Sequence, residues 1–305
     1  MIDILGKRYW LFGLSLLVII PGLLILAFNG LPLSIDFTGG SLVEVRFDNA
    51  PAPAEILAVY EDLAIRDATV QTTENNAVII RSSFLDDATR EVVLSRLKEA
   101  FGNTELLRYD SVGPAIGEQV TQRAALAVGV AALAVILYIV FTFRGIQHAE
   151  RYGLMAILAM LHDVAVVFSV AGIGSVLLGW EMDALFLTAL LTVIGFSVQD
   201  KIVVFDRIRE NSTLLRRLPY ETLVNHSIVQ TLQRSINTQL MTVEFLLLAL
   251  ALFGGVTLQE FAVILLVGLL SGTYSSIFIA APLLVVWENQ EWKTWFGRKA
   301  DTAAS

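Results

Sequence analysis

Asp163, Asp200, Arg234 and Glu244 stand inside, or at the mouth of, runs of mostly apolar residues, each near the roughly twenty residues that cross a bilayer. An ionisable side chain in such a place is costly unless a partner, a water-filled cavity or a task accounts for it. His162 precedes Asp163, and Lys201 follows Asp200. At about 1.5 Å of rise per residue, Asp163 and Glu244 fall near mid-membrane, and Asp200 and Arg234 within about two turns of one surface. Low dielectric disfavours an ionised carboxylate and a nearby guanidinium favours it, so an Asp200–Arg234 pair suits the gain and loss of a proton. The same pair also suits a static link between two helices. Lys201 is expected to carry its ammonium to the interface on its long stem, and His162 to serve either as helix glue or as a relay.

The faces around these residues are polar as well. Thr188, Thr192, Gly195 and Gln199 recur at helical spacing, and Asn237, Thr238, Gln239 and Thr242 crowd the start of the next run. Such faces should meet each other rather than acyl chains. A third pattern is a stripe of small residues, Gly268, Gly272, Ser276 and Ala280, which makes a groove for close helix approach, either by a helix of the same chain or by a partner.

The elements that must hold these groups are membrane spans. Only 16% of the 305 residues are charged and 55% are hydrophobic, where an ordinary soluble domain has about 25% charged residues. Six apolar runs are expected to span, at 9–28, 124–143, 153–178, 184–205, 235–254 and 261–287. The first is too long for a cleavable signal and lacks a small-residue cleavage pattern. Basic residues cluster at Lys7 and Arg8, Arg144 and Arg151, Arg207 to Arg217, and Lys293 to Lys299, whereas the connections at 179–183 and 255–260 hold no Lys or Arg. The positive-inside bias therefore puts both termini in the cytoplasm and residues 31–120 outside.

That outer segment holds fifteen acidic and seven basic residues, the whole of the chain's net charge of −8. Val43, Val45 and Phe47 alternate with Glu44 and Arg46, a half-buried strand. Helices are expected around Ile56 to Leu63 and from about Asp86 to Phe101, with Asp86 or Asp87 as N-cap; further strands are expected near Val70, Val78 to Ile80 and Leu106 to Tyr109. The order strand, helix, strand, strand, helix, strand matches a split βαβ sandwich. It contains no His and its acids are scattered, which argues against catalysis and leaves binding of an extended chain, docking on a partner, or a passive spacer. The expected organisation is a first transmembrane helix in 1–30, an external α+β (ferredoxin-like βαββαβ) domain in 31–120, a five-helix bundle in 121–290 and a cytoplasmic tail in 291–305.

No HExxH, Walker A, GxGxxG or GxSxG pattern is present, so metal, nucleotide and acyl-transfer chemistry lack support, and the chain is not expected to be an enzyme. There is no cysteine, hence no disulfide framework and no thiolate chemistry. Any driving force should be ionic, a proton or sodium gradient, with no cofactor or metal. No nucleic acid is expected as a partner.

Five blocks, in order, carry a resemblance. They are IDFTGG at 35–40 (with Asp36, Gly39 and Gly40), VGPAIG at 112–117 (with Gly113 and Pro114), GFSVQDKIVVFDRIREN at 195–211 (with Asp206 and Arg207), TLQRSINT at 231–238 and SGTYSSIFIAAP at 271–282. The chain resembles the SecD/SecF family of bacterial protein-export membrane subunits, itself similar to the RND transporters. The resemblance implies a six-span subunit of the inner membrane that pairs with SecD and works beside the SecYEG channel and its auxiliary membrane subunits. It implies use of the proton-motive force to promote late-stage translocation of an unfolded polypeptide. The family's proton-pathway residues fall on Asp200 and Arg234, with Asp200 ionised and clamped to Arg234 until protonation from outside releases it. Asp163, Glu244 and His162 are further pathway candidates. Gln199 and Lys201 depart from the family's usual Asn and small hydroxyl residue, and Glu244 stands where an apolar or Thr residue is usual; Glu244 is either an extra relay or a partner of Lys201 or His162. Two other readings remain open: an RND-type proton-coupled exporter of small molecules or lipids, and a non-transporting scaffold of the translocation channel.

Overall fold

In lipid a chain must satisfy its backbone hydrogen bonds internally, and long apolar runs do so as helices. The computed structural model describes residues 3–72, 76–144, 149–253 and 256–295, apart from the side chains of 242, 244, 247, 251–253, 256, 257, 294 and 295. His148, Arg298 and Lys299 lie outside the described residues. The chain divides into a helical unit, residues 1–31, 128–180 and 185–305, and an α+β unit, residues 32–127 and 181–184. The four residues 181–184 were not expected in the second unit.

After a 3-10 turn at Leu5–Lys7, the elements in chain order are α1 (Arg8–Asn29), α2 (Ile35–Thr38), β1 (Gly40–Phe47), α3 (Pro53–Asp62), β2 (Thr69–Thr72), β3 (Ala77–Ser82), α4 (Asp87–Phe101) and β4 (Thr104–Val112). The long helices follow: α5 (Pro114–Thr142), α6 (Ala149–Leu178), α7 (Ala184–Leu214), α8 (Tyr220–Phe253) and α9 (Val256–Ser275). After α9 comes a π-helical turn, Ser276–Ala280, then α10 (Ala281–Glu288) and α11 (Trp292–Trp295). Among the described residues, five stretches are long and apolar enough to cross a membrane: Leu5–Asn29, Pro114–Thr142, Ala149–Leu178, Ala184–Leu214 and Leu258–Glu288. The expected fifth span, 235–254, runs partly through side chains outside those described and is not among the five. The π turn has a local cause. Pro282 has no N–H to give and its ring would strike the carbonyl four residues back, and a wide turn immediately before it removes that conflict.

Small residues let the helices of the first unit meet. A Cβ added at Gly22 of α1 would lie 2.0 Å from Ser169 Oγ of α6, and that hydroxyl donates to Val18 O at 2.7 Å. A Cβ at Gly268 would lie 2.2 Å from Val193 of α7, and one at Gly272 3.3 Å from the Ser197 Cα. The groove of small residues on α9 is thus filled by helices of the same chain, and Ser276 and Ala280 are buried with it.

The α+β unit has one sheet in the order β2-β3-β1-β4, with every pairing antiparallel. Val43, Val45 and Phe47 of β1 and Val78 and Ile80 of β3 pack on Ile56 and Tyr60 of α3 and Val93 and Leu97 of α4. Asp86 caps α4, accepting from Thr89 N at 2.8 Å, and hydrogen bonding from the Thr89 side chain and then its backbone holds the Asp86 carboxyl below the usual carboxylate range. A bulge between Glu44 and Val45 interrupts the β1–β4 ladder.

At the base of this unit Ser34 caps α2, accepting from Asp36 N at 3.2 Å. Gly39 and Gly40 then turn into β1 with φ of 72° and 135°, a region that side chains avoid. A Cβ at Gly117 would lie 2.5 Å from Gly39 N, and one at Gly39 would lie 2.9 Å from Pro114 Cα. The two glycines at 39 and 40 therefore serve both a backbone angle and a close backbone crossing, and Gly113 accepts the first turn of α5 through Gly117 N at 3.0 Å.

Candidate functional site: a buried acid, a lysine and three serines

Three helices aim polar side chains at one point. Ser197 and Lys201 of α7 are four residues apart, as are Ser271 and Ser275 of α9, and that spacing puts each pair on one helix face. Asp163 of α6 lies between them and is fully buried, as is Lys201. Asp163 Oδ2 accepts from Ser197 Oγ at 2.6 Å, Lys201 Nζ at 2.7 Å and Ser275 Oγ at 2.7 Å. Its Oδ1 accepts from Ser271 Oγ at 2.7 Å and lies 3.1 Å from His162 Nδ1.

The ammonium is equally engaged. Lys201 Nζ also reaches Ser197 O at 3.0 Å and Ser197 Oγ at 2.5 Å, so its three protons all have acceptors. The expected route for Lys201, out to the interface, is corrected: its stem runs inward, because only there does the charge meet a counter-charge. A buried ion pair survives when both charges are matched and their remaining hydrogen-bonding capacity is filled, which is the case here.

His162 extends the network to α1. Its Nε2 lies 2.7 Å from Ser15 Oγ, and its ring stacks on Tyr274 of α9 with centroids 6.3 Å apart. With Nδ1–H donated to Asp163, Nε2 accepts from the Ser15 hydroxyl. A continuous line of exchangeable protons then runs from Ser15 through His162 to Asp163, Ser197 and Lys201.

Asp200 and Arg234 form no salt bridge among the described residues, although the Arg234 charge acts on the Asp200 carboxyl. Consecutive helix residues point about 100° apart, so with Lys201 turned into the core, Asp200 faces Ser235 of α8 and Thr273 of α9 instead. Asp200 Oδ2, Ser235 Oγ and Gln239 Nε2 are buried without a hydrogen-bond partner among the described residues. Arg234 is exposed and lines an open cleft of about 900 Å³ with Gln230, Gln233, Asn237, Thr192 and Phe196. The Glu244 side chain lies outside the described residues.

The remaining motif residues are structural neighbours of α7 and of the α+β base. Asp206 pairs with Arg209 at 2.7 Å, and Arg207 Nε donates to Gln230 Oε1 of α8 at 2.6 Å. Asp36 Oδ2 accepts from Ala184 N at 3.1 Å. Sequence reasoning missed Ser197, Ser271 and Ser275. The signal was their spacing of four, one position away from the glycine stripe that drew attention on α9.

The family described as "Protein export membrane protein SecD/SecF, C-terminal" matches residues 92–290, and the "SecD/SecF GG Motif" matches residues 24–51, which include Gly39 and Gly40. The chain is 64% identical to the "Protein translocase subunit SecF" of Anaerolinea thermophila, covering 100% of both chains. It is 45% identical to the protein of the same description from Thermobaculum terrenum, again over 100% of both. The crystal structure of SecDF, a translocon-associated membrane protein from Thermus thermophilus, superposes with a TM-score of 0.80 at 35% identity, over 94% of this chain and 39% of that one. With both family patterns matched and full-length relatives at this identity, the chain belongs to the SecD/SecF family of protein-export membrane proteins.

Proposed function

We propose that this chain is the SecF-type partner of a SecD subunit, and that together they use an ion gradient, protons first, to promote the late stage of polypeptide export. In this reading 235–254 is a sixth span, residues 31–120 form a split βαβ domain outside the inner membrane, and both termini are cytoplasmic. Pairing with SecD is supported by the Thermus thermophilus relative named SecDF, 39% identical over 86% of this chain but only 35% of that one. Work beside the SecYEG channel and contact with the unfolded polypeptide follow from the export role.

The observation that carries the proposal is the fully buried Asp163–Lys201 pair, joined to α9 by two serines. A proton delivered to Asp163 removes the counter-charge of Lys201 and weakens every hydrogen bond the carboxylate accepts. Uncompensated burial of one member of such a pair costs about 3–5 kcal/mol. A proton crossing about 150 mV supplies roughly 3.5 kcal/mol. The two are comparable, so one proton per step suffices to shift α6, α7 and α9 between two packings. Asp200, with an oxygen that has no hydrogen-bond partner among the described residues and with Ser235 and Thr273 beside it, is a further stop on the proton's path.

The test measures export of a secretory polypeptide into membrane vesicles, with and without an imposed gradient. Asp163→Asn and Lys201→Gln should each abolish the gradient-stimulated part, and exchange of the proton gradient for a sodium gradient identifies the ion. Full stimulation in both variants would refute the reading.

A further inference from the structure

The four residues before and at the start of α7 belong to the α+β unit, although the helix they open carries Ser197, Asp200 and Lys201. Three independent contacts hold them there. Met182 is buried, and its backbone is paired in both directions as a parallel bridge to Leu33, with Met182 N to Pro32 O at 2.7 Å and Ser34 N to Met182 O at 3.0 Å. Arg81 Nε of β3 lies 2.6 Å from Glu181 Oε1, with both side chains largely covered. Asp36 Oδ2 accepts from Ala184 N, one of the donors that a helix start leaves without an internal partner, and a carboxylate there is also favoured by the helix dipole.

Each contact anchors a different point of the unit: the strand-like lead-in at 32–34, the first turn of α2, and the second central strand. Backbone pairing and a helix cap resist both sliding and rotation of the first turn of α7, which an exposed loop joined only by its covalent ends would not do. We propose that Glu181, Met182 and Ala184, with Arg81, Leu33 and Asp36, form a rigid clip whose residues position the start of α7 and deliver its displacement to the α+β unit. This inference rests on the ion-coupled reading above, in which α7 moves when Asp163 is protonated.

The experiment uses the full chain in membranes. Arg81→Glu and Glu181→Arg should each lose most of the gradient-stimulated part of export, while gradient-independent export and the amount of inserted protein stay unchanged. Combining the two restores the pair with reversed charges and should restore stimulation, which general damage to the fold would not predict. Full stimulation in both single variants, or no recovery in a normally inserted double variant, overturns the proposal.

A second arm does not depend on those variants folding. The chain has no cysteine, so Leu33→Cys with Met182→Cys gives a unique pair across the bridge. Neighbouring strands lie about 4.8 Å apart, inside the roughly 4.4–6.8 Å that a disulfide spans. A rigid clip never has to open, so closing the bond should leave stimulation intact; loss on oxidation with recovery on reduction overturns the proposal. Asp163→Asn in the same membranes tells the two failures apart. Stimulation lost there but kept in the clip variants overturns only the clip, whereas stimulation kept in both overturns the ion-coupled reading and the clip with it.

Discussion

Lys201 Nζ lies 2.7 Å from Asp163 Oδ2, across two helices and 38 positions of sequence, with neither side chain reached by solvent. Removing one charge should therefore cost more than removing both. Asp163→Asn is expected to destabilise the helical unit by about 3–5 kcal/mol, and Asp163→Leu combined with Lys201→Met to recover most of that loss. Thermal unfolding in detergent measures the difference. A double variant no more stable than Asp163→Asn would contradict the pairing. Neither variant should support gradient-stimulated export, which separates stability from function.

The serines of α9 should matter unequally. Ser271→Ala and Ser275→Ala each delete a hydrogen bond to a charged acceptor, worth about 1.5–3 kcal/mol. Ser276→Ala deletes only a bond to the Thr273 carbonyl, a neutral acceptor worth about 1 kcal/mol. Unfolding of the three variants side by side should rank them in that order.

Two glycines on α1 provide a matched comparison. A Cβ at Gly22 would press on the Ser169 backbone at 2.2 Å, while one at Gly13 meets nothing within 4 Å. Gly22→Ala is expected to force α1 and α6 apart at a cost of about 1–3 kcal/mol. Gly13→Ala should be neutral or stabilising by up to about 1 kcal/mol, through helix propensity. Equal melting temperatures for the two would show that the α1–α6 crossing is looser than described.

The clasp between the start of α1 and the segment after α10 should be acid-sensitive. Burial alone would raise the Glu291 carboxyl, but the Tyr9 hydroxyl, the Asn289 amide and the Arg8 guanidinium outweigh it and hold it below the usual carboxylate range. A carboxyl lowered on folding contributes stability above its unfolded pKa and loses it as pH falls through the folded value. Acidification below the ordinary carboxylate range should therefore loosen the segment around 291, seen as faster hydrogen exchange there. Glu291→Gln should remove that part of the pH dependence.

Much of the scaffold was legible because its signals are periodic. Alternation at Val43 to Phe47 and the capped run from Asp86 to Phe101 identify elements that β1 and α4 occupy, and five of the six apolar runs lie in helices able to span. The site was less legible. Depth counted along a helix says how far in a residue lies but not which way it points, and Asp200 and Lys201, one residue apart, point in different directions. That is why depth alone pointed to an Asp200–Arg234 pair and gave no hint of the Asp163–Lys201 pair. The affiliation of residues 181–184 had no local signal, since backbone pairing and helix capping across 148 positions leave no pattern in a short loop.

The wide turn at Ser276–Ala280 works as a phase shifter between α9 and α10. Each residue of an α-helix advances the side chains by about 100°, and a π turn absorbs one more residue than an α turn does. The face that begins with Ser271 and Ser275 is thereby offset from the one that buries Leu284 and Val285. Because Pro282 holds the turn open, this offset is a fixed feature of the span, which presents its polar face to the Asp163 cluster and its apolar face elsewhere without a break in the helix.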